Sequence, residues 1–237
     1  MNYSPSAAEL AILGESPILA NLGPPALRAI ARAATPYKVE RGGFFIHQGE
    51  PATSFYVLID GRTRLSQIAG DGRQVIFHYF GPGEAMGVAA ALANAHYPVS
   101  AEAMIDTVAL GWDRETAVCL MEQYPRLAIN GMEMVAGRFW ELQNRYRELA
   151  TERVERRLAH AVLRLSAHDN NGNATAPTLK LSRQDLAEMT GTTLFSVSRI
   201  CSDWEQRGIL ATGREQIRIL DKRELETIAE DHLQIDS

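Results

Sequence analysis

The stretch from Ser182 to Gly208 constrains this 237-residue chain more than any other. Ser182 suits a helix N-cap, and Asp185, three residues on, can return the hydrogen bond in capping-box fashion. Leu186, Ala187 and Met189 give the short helix that follows an inward face. Thr190-Gly191-Thr192 then supplies a tight turn and the next N-cap. Leu194, Val197, Ile200 and Trp204 recur at helical spacing until Gly208, a typical C′ glycine. Two helices joined by a glycine-containing turn match helix-turn-helix geometry. Downstream, Ile209 to Leu220 reads as two β-prone arms around Thr212-Gly213-Arg214, a wing hairpin, and Asp221 caps a last helix. Upstream, Val154, Leu158, Val162 and Leu165 share one face of a helix over 150–168. A turn-rich loop over 169–177 and a short strand over 178–181 follow it.

The first half has a different texture. Between residues 37 and 112 glycines interrupt short β-prone runs at close intervals. Phe55-Tyr56-Val57-Leu58-Ile59 is one such run, and Asp60-Gly61 after it is a hairpin signal. Thr63 to Ile68 alternates as a half-buried strand should. Asp71-Gly72 marks a second hairpin returning through Gln74 to Phe80, and Thr107 to Trp112 closes the set. Many short strands with turns at this spacing indicate a sandwich or barrel.

Between these halves, Tyr124-Pro125 gives a helix start. Met132, Val135, Phe139, Leu142, Tyr146 and Leu149 follow at steps of three and four, an a/d seam over more than two heptads. Such a seam serves equally one face of a buried helix or a two-chain coiled coil, and periodicity alone does not separate them.

Composition removes several function classes. No apolar run is long enough to span a bilayer, and Met1-Asn2-Tyr3-Ser4-Pro5 has no basic n-region or apolar h-region, so a cytoplasmic protein is expected. Cys119 and Cys201 are the only cysteines and form no C-x-x-C pair, which excludes a four-cysteine iron–sulfur cluster and argues for two small core residues. No Ser-His-Asp, P-loop or Rossmann motif appears. A cupin-like metalloenzyme would need clustered ligands such as a His-x-His pair, but His47, His78 and His96 are isolated. No enzymatic activity and no metal are expected. The formal net charge is −5, yet residues 180–223 carry eight Lys and Arg against six Asp and Glu. The acidic surplus therefore lies outside the segment with the helix-turn-helix pattern.

Ser182-Arg183-Gln184-Asp185-Leu186-Ala187, Thr190-Gly191, Val197-Ser198-Arg199 and Trp204-Glu205-Gln206-Arg207-Gly208-Ile209 together resemble the Crp/Fnr family of bacterial transcription regulators. His47-Gln48-Gly49-Glu50, the Phe55–Gly61 run and Gly81-Pro82-Gly83-Glu84 resemble that family's cyclic-nucleotide-binding β-roll. The resemblance covers about residues 15 to 230. It implies an α+β chain: a β-roll sensor with N-terminal helices over 1–120, a dimerisation helix over 121–150, and a winged helix-turn-helix over 151–237. It favours the two-chain reading of the seam, with Met132, Val135, Phe139, Leu142, Tyr146 and Leu149 as the homodimer interface.

The same resemblance implies double-stranded DNA with a near-palindromic site as the partner, and RNA polymerase as well for an activator. Outward candidates on the recognition helix are Thr193, Leu194, Phe195, Ser196, Ser198 and Arg199. Arg199 can grip a guanine O6 and N7, while Phe195, standing where the family usually has Glu, can pack on a thymine methyl. Arg183, Thr192 and Thr193 are candidate phosphate contacts. An effector site is expected from Gly81, Gly83, Glu84, Met86, Gly87, Val88, Ala89, Tyr97 and Pro98, facing Leu142 and Gln143. Val88 stands where nucleotide binders have Glu, Tyr97-Pro98 where they have an Arg-Ser or Arg-Thr pair, and Leu142-Gln143 where hydroxyl residues cap the purine. A buried phosphate without a cation is costly, so cyclic AMP is not the expected ligand. Heme, used by some relatives to sense carbon monoxide or nitric oxide, stays an open alternative if Val88 to Ala93 lines an apolar cavity.

Overall fold

The computed structural model describes residues 3–168, 178–213 and 215–230. The expected loop over 169–177, Arg214 at the wing tip and the side chains of His168 and His232 lie outside them. The chain forms two compact units, Met1–Glu141 and Leu142–Ser237.

The first unit opens with helices α1 (Ala7–Glu15) and α2 (Pro24–Arg32). Ser6 caps α1 in a complete capping box with Glu9. Eight strands follow: β1 (Thr35–Val39), β2 (Phe44–Ile46), β3 (Ser54–Asp60), β4 (Thr63–Ile68), β5 (Gln74–Phe80), β6 (Ala85–Met86), β7 (Ser100–Ala103) and β8 (Thr107–Asp113). They make two antiparallel four-stranded sheets, ordered β1-β8-β3-β6 and β2-β7-β4-β5. A short helix α3 (Val88–Leu92) lies between β6 and β7, and α4 (Arg114–Gln123) follows β8.

Asp71-Gly72 joins a paired hairpin, β4 with β5, as expected. Asp60-Gly61 does not: β3 pairs with β8 and β6, while β4 pairs with β5 and β7, so the turn carries the chain from one sheet to the other. The reason lies in β3, which is buried on both faces. Phe55, Val57 and Ile59 face a core shared with the helices, including Leu13, Ile30, Leu110, Trp112 and Leu127. Tyr56 and Leu58 face the roll interior with Ile46, Phe80, Met86 and Tyr97. A strand apolar on both faces belongs inside a sheet, with neighbours on each edge.

Polar groups lock the helices to this core. The Trp112 indole N–H donates to the Ile30 carbonyl at 2.9 Å. The buried Asn130 amide donates to the carbonyls of Ile18 (2.9 Å) and Ala20 (2.8 Å). Asn130 belongs to the long helix α5 (Pro125–Thr151), whose Pro125 confirms the expected entry signal. Residues 121–123 close α4 instead, and α5 runs on past Glu141 into the second unit. Cys119 corrects an expectation: it is exposed, whereas Cys201 is buried.

The second unit contains α6 (Val154–His168), β9 (Thr178–Leu179), α7 (Arg183–Thr190), α8 (Leu194–Gln206), β10 (Leu210–Gly213), β11 (Gln216–Ile219) and α9 (Lys222–Glu230). The helix expected over 150–168 is interrupted at Glu152–Arg153. There the Glu152 side chain, only 2% exposed, meets Arg147 (3.1 Å), His160 (3.4 Å) and Arg156 (3.9 Å). Beside it Glu148 pairs with Arg164 at 2.6 Å. The three strands form a small antiparallel sheet ordered β10-β11-β9. Leu158, Val162, Leu186, Val197, Cys201, Trp204, Ile217 and Leu225 form the core beneath it.

Candidate nucleic-acid interface

Local rules position the second helix of the pair. Ser182 and Asp185 form the expected capping box of α7, which ends on left-handed Gly191. The cap of α8 is Thr193, one residue beyond the Thr190–Thr192 turn, and its hydroxyl accepts from the Ser196 backbone N–H. One face of α8 buries Val197, Ile200, Cys201 and Trp204. Trp204 also donates its indole N–H to Glu155 of α6 at 3.0 Å, fixing the roll of α8 about its own axis.

The opposite face is what the domain offers to solvent. Phe195 is 78% exposed and Leu194 46%, so Leu194 leaves the inward face that its spacing suggested. Arg199 is exposed and Ser198 half-exposed, one turn beyond. Arg199 has no hydrogen-bond or ion-pair partner among the described residues. Ser196 is turned toward its own cap, its hydroxyl 3.1 Å from that of Thr193.

Arg183, expected at a DNA phosphate, is engaged within the domain. Its guanidinium lies 3.3 Å from Glu205 and also bonds the Thr212 hydroxyl. Glu205 accepts from the Thr212 backbone N–H at 2.8 Å and from the Thr212 hydroxyl. The Thr212 bonds, with Arg183 adding its charge, outweigh desolvation and hold the Glu205 carboxyl below the usual range. This knot ties α7, α8 and the wing strand β10 together. The family motif contains Glu205, but its bond to the wing was not legible from the motif.

The expected effector residues do not converge. Met86 and Tyr97 fill the roll interior, where the Tyr97 hydroxyl bonds the Ser54 carbonyl. Val88, by contrast, packs into the helix-side core with Ala91, while Ala89 and Pro98 are exposed. Gly87 causes the split: at φ 81° it caps α3 and swings the chain so that Val88 and Ala91 face the helices. The segment Val88–Ala93 therefore does not line the roll interior, the condition on which the heme alternative rested, apart from the half-buried Ala90. Gly83, also left-handed, donates its N–H to the Leu58 carbonyl at 2.8 Å. Leu142 and Gln143 are exposed and belong to the second unit.

One polar constellation was missed. His78, 6% exposed on β5, places its Nε2 3.0 Å from Glu84 and 3.3 Å from Arg138 of α5. Glu84 also accepts from the Gly81 N–H at 2.8 Å and lies 3.6 Å from Arg138. Arg138 in turn sits 3.5 Å from Glu141 and over the Phe80 ring. Burial lowers the His78 pKa, with Arg138 adding to the effect. Burial opposes the Glu84 charge too, but the His78 hydrogen bond and charge, the Gly81 amide and Arg138 keep its pKa below normal. The signal available in the sequence was parity: His78 and Phe80 lie two apart on β5 and are both buried, their rings 4.6 Å apart. These histidines do not fit heme ligation, because His47 and His96 are exposed and His78 is engaged. Nor do the expected effector residues fit a cyclic phosphate, since residues 88–99 hold no Lys or Arg and the Tyr97 hydroxyl bonds backbone.

A β-roll followed by a long helix and a winged helix-turn-helix defines a class: sensor-linked DNA-binding regulators. Residues 36–124 match the family described as Cyclic nucleotide-binding domain, and residues 156–228 match Crp-like helix-turn-helix domain. The chain is 23% identical over 216 residues to a "CRP-like cAMP-activated global transcriptional regulator" of Mycobacterium tuberculosis, covering 90% of this chain and 96% of that one. It is 27% identical to a "Cyclic AMP receptor protein" of Thermus thermophilus, covering 80% and 85%. Among solved structures, FixK2 from Bradyrhizobium japonicum matches with TM-score 0.72 and 25% identity, over 82% of this chain and 96% of that chain. The chain belongs to the Crp/Fnr family and is a DNA-binding transcription regulator of that type.

Proposed function

We propose that the protein binds a near-palindromic DNA site as a homodimer, with one α8 in each of two successive major grooves. A dimer of this kind sets its recognition helices about 34–36 Å apart. The observation that carries the reading is the outer face of α8. A helix capped at Thr193 and rolled into place by Trp204 presents an arginine, Arg199, unpaired among the described residues, one turn beyond two exposed apolar side chains. Arg199 reads a guanine, Ser198 reaches a base or phosphate, and Thr192 and Thr193 meet phosphates where the helix enters the groove. Arg183 holds the wing through Glu205 and Thr212, and serves phosphate only from that fixed position.

Dimerisation runs along α5, where all six seam residues are exposed: Met132, Val135, Phe139, Leu142, Tyr146 and Leu149. The signal is received in the first unit and is not a cyclic nucleotide, in line with the missing cation and the engaged tyrosine. The protein acts in the cytoplasm, and RNA polymerase is a further partner where it activates. The test is selection of a preferred duplex from random DNA, followed by Arg199→Ala. A bidentate arginine–guanine pair is worth about 1–3 kcal/mol, so affinity for the selected duplex falls ~5- to 150-fold while binding to random DNA is kept. Unchanged affinity for the selected duplex refutes the role given to Arg199.

A further inference from the structure

We infer that α8 reads 5-methyl groups in the major groove, those of thymine and of 5-methylcytosine alike, through Phe195 with Leu194 beside it. The inference rests on the DNA-binding reading above and gives that site its ligand chemistry.

Five observations support it. Phe195 has the greatest exposure of any large hydrophobic side chain among the described residues. The domain core does not call on it, since Val197, Ile200, Cys201 and Trp204 supply the whole buried face of α8. Leu194 and Phe195 are also the first two residues of the helix, directly after its cap, at the end that reaches base edges. The first turn holds no acidic residue to repel phosphate. Finally, Phe195 and Arg199 are four residues apart and so share a face, separated by about 6 Å along the axis. That offset spans roughly two base-pair steps of ~3.4 Å. A guanine gripped by Arg199 would then bring Phe195 over a base in the same half-site.

Chemistry selects what Phe195 accepts there. An aromatic hydrocarbon neither donates to a base edge nor accepts from it. The one apolar feature of the major-groove edges of the four bases is the C5-methyl group of thymine. Cytosine methylated at C5 presents the same group at the same ring position. Unmethylated cytosine and uracil leave only a C–H there. The regulator would therefore distinguish methylated from unmethylated cytosine at this one position, and a genome's cytosine methylation would alter its occupancy.

The test uses the full-length chain and one duplex from the selection experiment, prepared in four forms. Each thymine of the half-site is kept, or replaced by deoxyuridine, deoxycytidine or 5-methyldeoxycytidine. Loss of one contacted methyl should weaken binding about fourfold, and loss in both half-sites roughly fifteenfold. 5-Methyldeoxycytidine should recover the same factor relative to deoxycytidine. Phe195→Ala should bind thymine and uracil duplexes equally. Because Phe195 is exposed, that variant keeps the fold, which circular dichroism checks. Arg199→Ala should weaken both duplexes and preserve their ratio. Equal binding of thymine and uracil forms by the native chain overturns the inference, as does a ratio that survives in both Phe195→Ala and Leu194→Ala. Phe195→Ala with unaltered affinity for every duplex also overturns it and assigns the apolar pair to a protein contact. Native binding that is sequence-specific and lost in Arg199→Ala, yet indifferent to the methyl, removes this inference alone. Absence of any specific binding removes the DNA-interface reading with it.

Discussion

Phe139→Ala tests the seam on α5 and its register. Phe139 is 56% exposed in the single chain. Full burial of such a side chain is worth about 1.5–3 kcal/mol, so covering its exposed half contributes roughly 1–1.5 kcal/mol in each copy. A homodimer contains the residue twice, giving about 2–3 kcal/mol, or ~30- to 150-fold in the dimer dissociation constant. Trp140 is the internal control. It is 69% exposed and presents more surface, but it lies one residue on, about 100° around the helix, off the a/d seam. Trp140→Ala should change dimerisation less than about threefold, because its burial on pairing is small. Sedimentation equilibrium across a concentration series reads both constants. Folding is not the issue at either site, since neither side chain is buried in the chain itself. Equal dimerisation by native protein and Phe139→Ala refutes the seam. A larger effect at Trp140 than at Phe139 refutes its register.

Three further outcomes follow from buried features. Glu152→Ala leaves Arg156 and His160 without their shared carboxylate and should destabilise the second unit by about 2–4 kcal/mol in urea melts, whereas Arg147→Ala, at a 57% exposed partner, should cost under about 1 kcal/mol. Acid should destabilise the first unit. His78, depressed below its usual 6.5, stays neutral when folded but takes up a proton when unfolded, so its contribution is full above pH 6.5 and falls as pH drops below that; Glu84, depressed below 4.5, loses its contribution lower still, as pH falls through its folded value. A melting temperature as steep between pH 6.5 and 5 in His78→Gln as in the native chain would refute the histidine part. Gly61→Ala would set a Cβ 2.7 Å from the Thr107 Cα at φ 97°, and should cost at least about 2 kcal/mol by thermal unfolding.

What was legible in the sequence depended on how far apart the interacting residues lie. The capping box at Ser182, the Gly208 stop, the Pro125 helix start and the Asp71-Gly72 turn each involve residues within a few positions of one another, and each appears as read. Asp60-Gly61 carries the same local signal as Asp71-Gly72 but a different outcome, because β3 is claimed by β8, some fifty residues away. The break between α5 and α6 left no mark either. No glycine or proline stands there; a buried carboxylate and the basic side chains gathered around it hold the bend.

The two functional ends of the chain show the same contrast. The proposed DNA-facing surface belongs to one helix, so helical spacing separates Val197, Ile200 and Trp204 from Ser198 and Arg199, although Leu194, which the same spacing put inside, is exposed. Phe195, an outward candidate in the sequence, is 78% exposed beside a core that does not include it. The sensor candidates were chosen as neighbours in sequence, and sequence neighbours in a strand–turn–helix segment point in opposite directions. Met86 enters the roll, Gly87 reverses the path, and Val88 enters the other core. The groups that do meet there, His78, Glu84 and Arg138, are six and sixty positions apart along the chain. A buried histidine beside a carboxylate and a guanidinium from α5 joins the roll to the helix that carries the exposed seam residues. Any change in the first unit that disturbs that junction acts on Arg138, the residue immediately preceding Phe139.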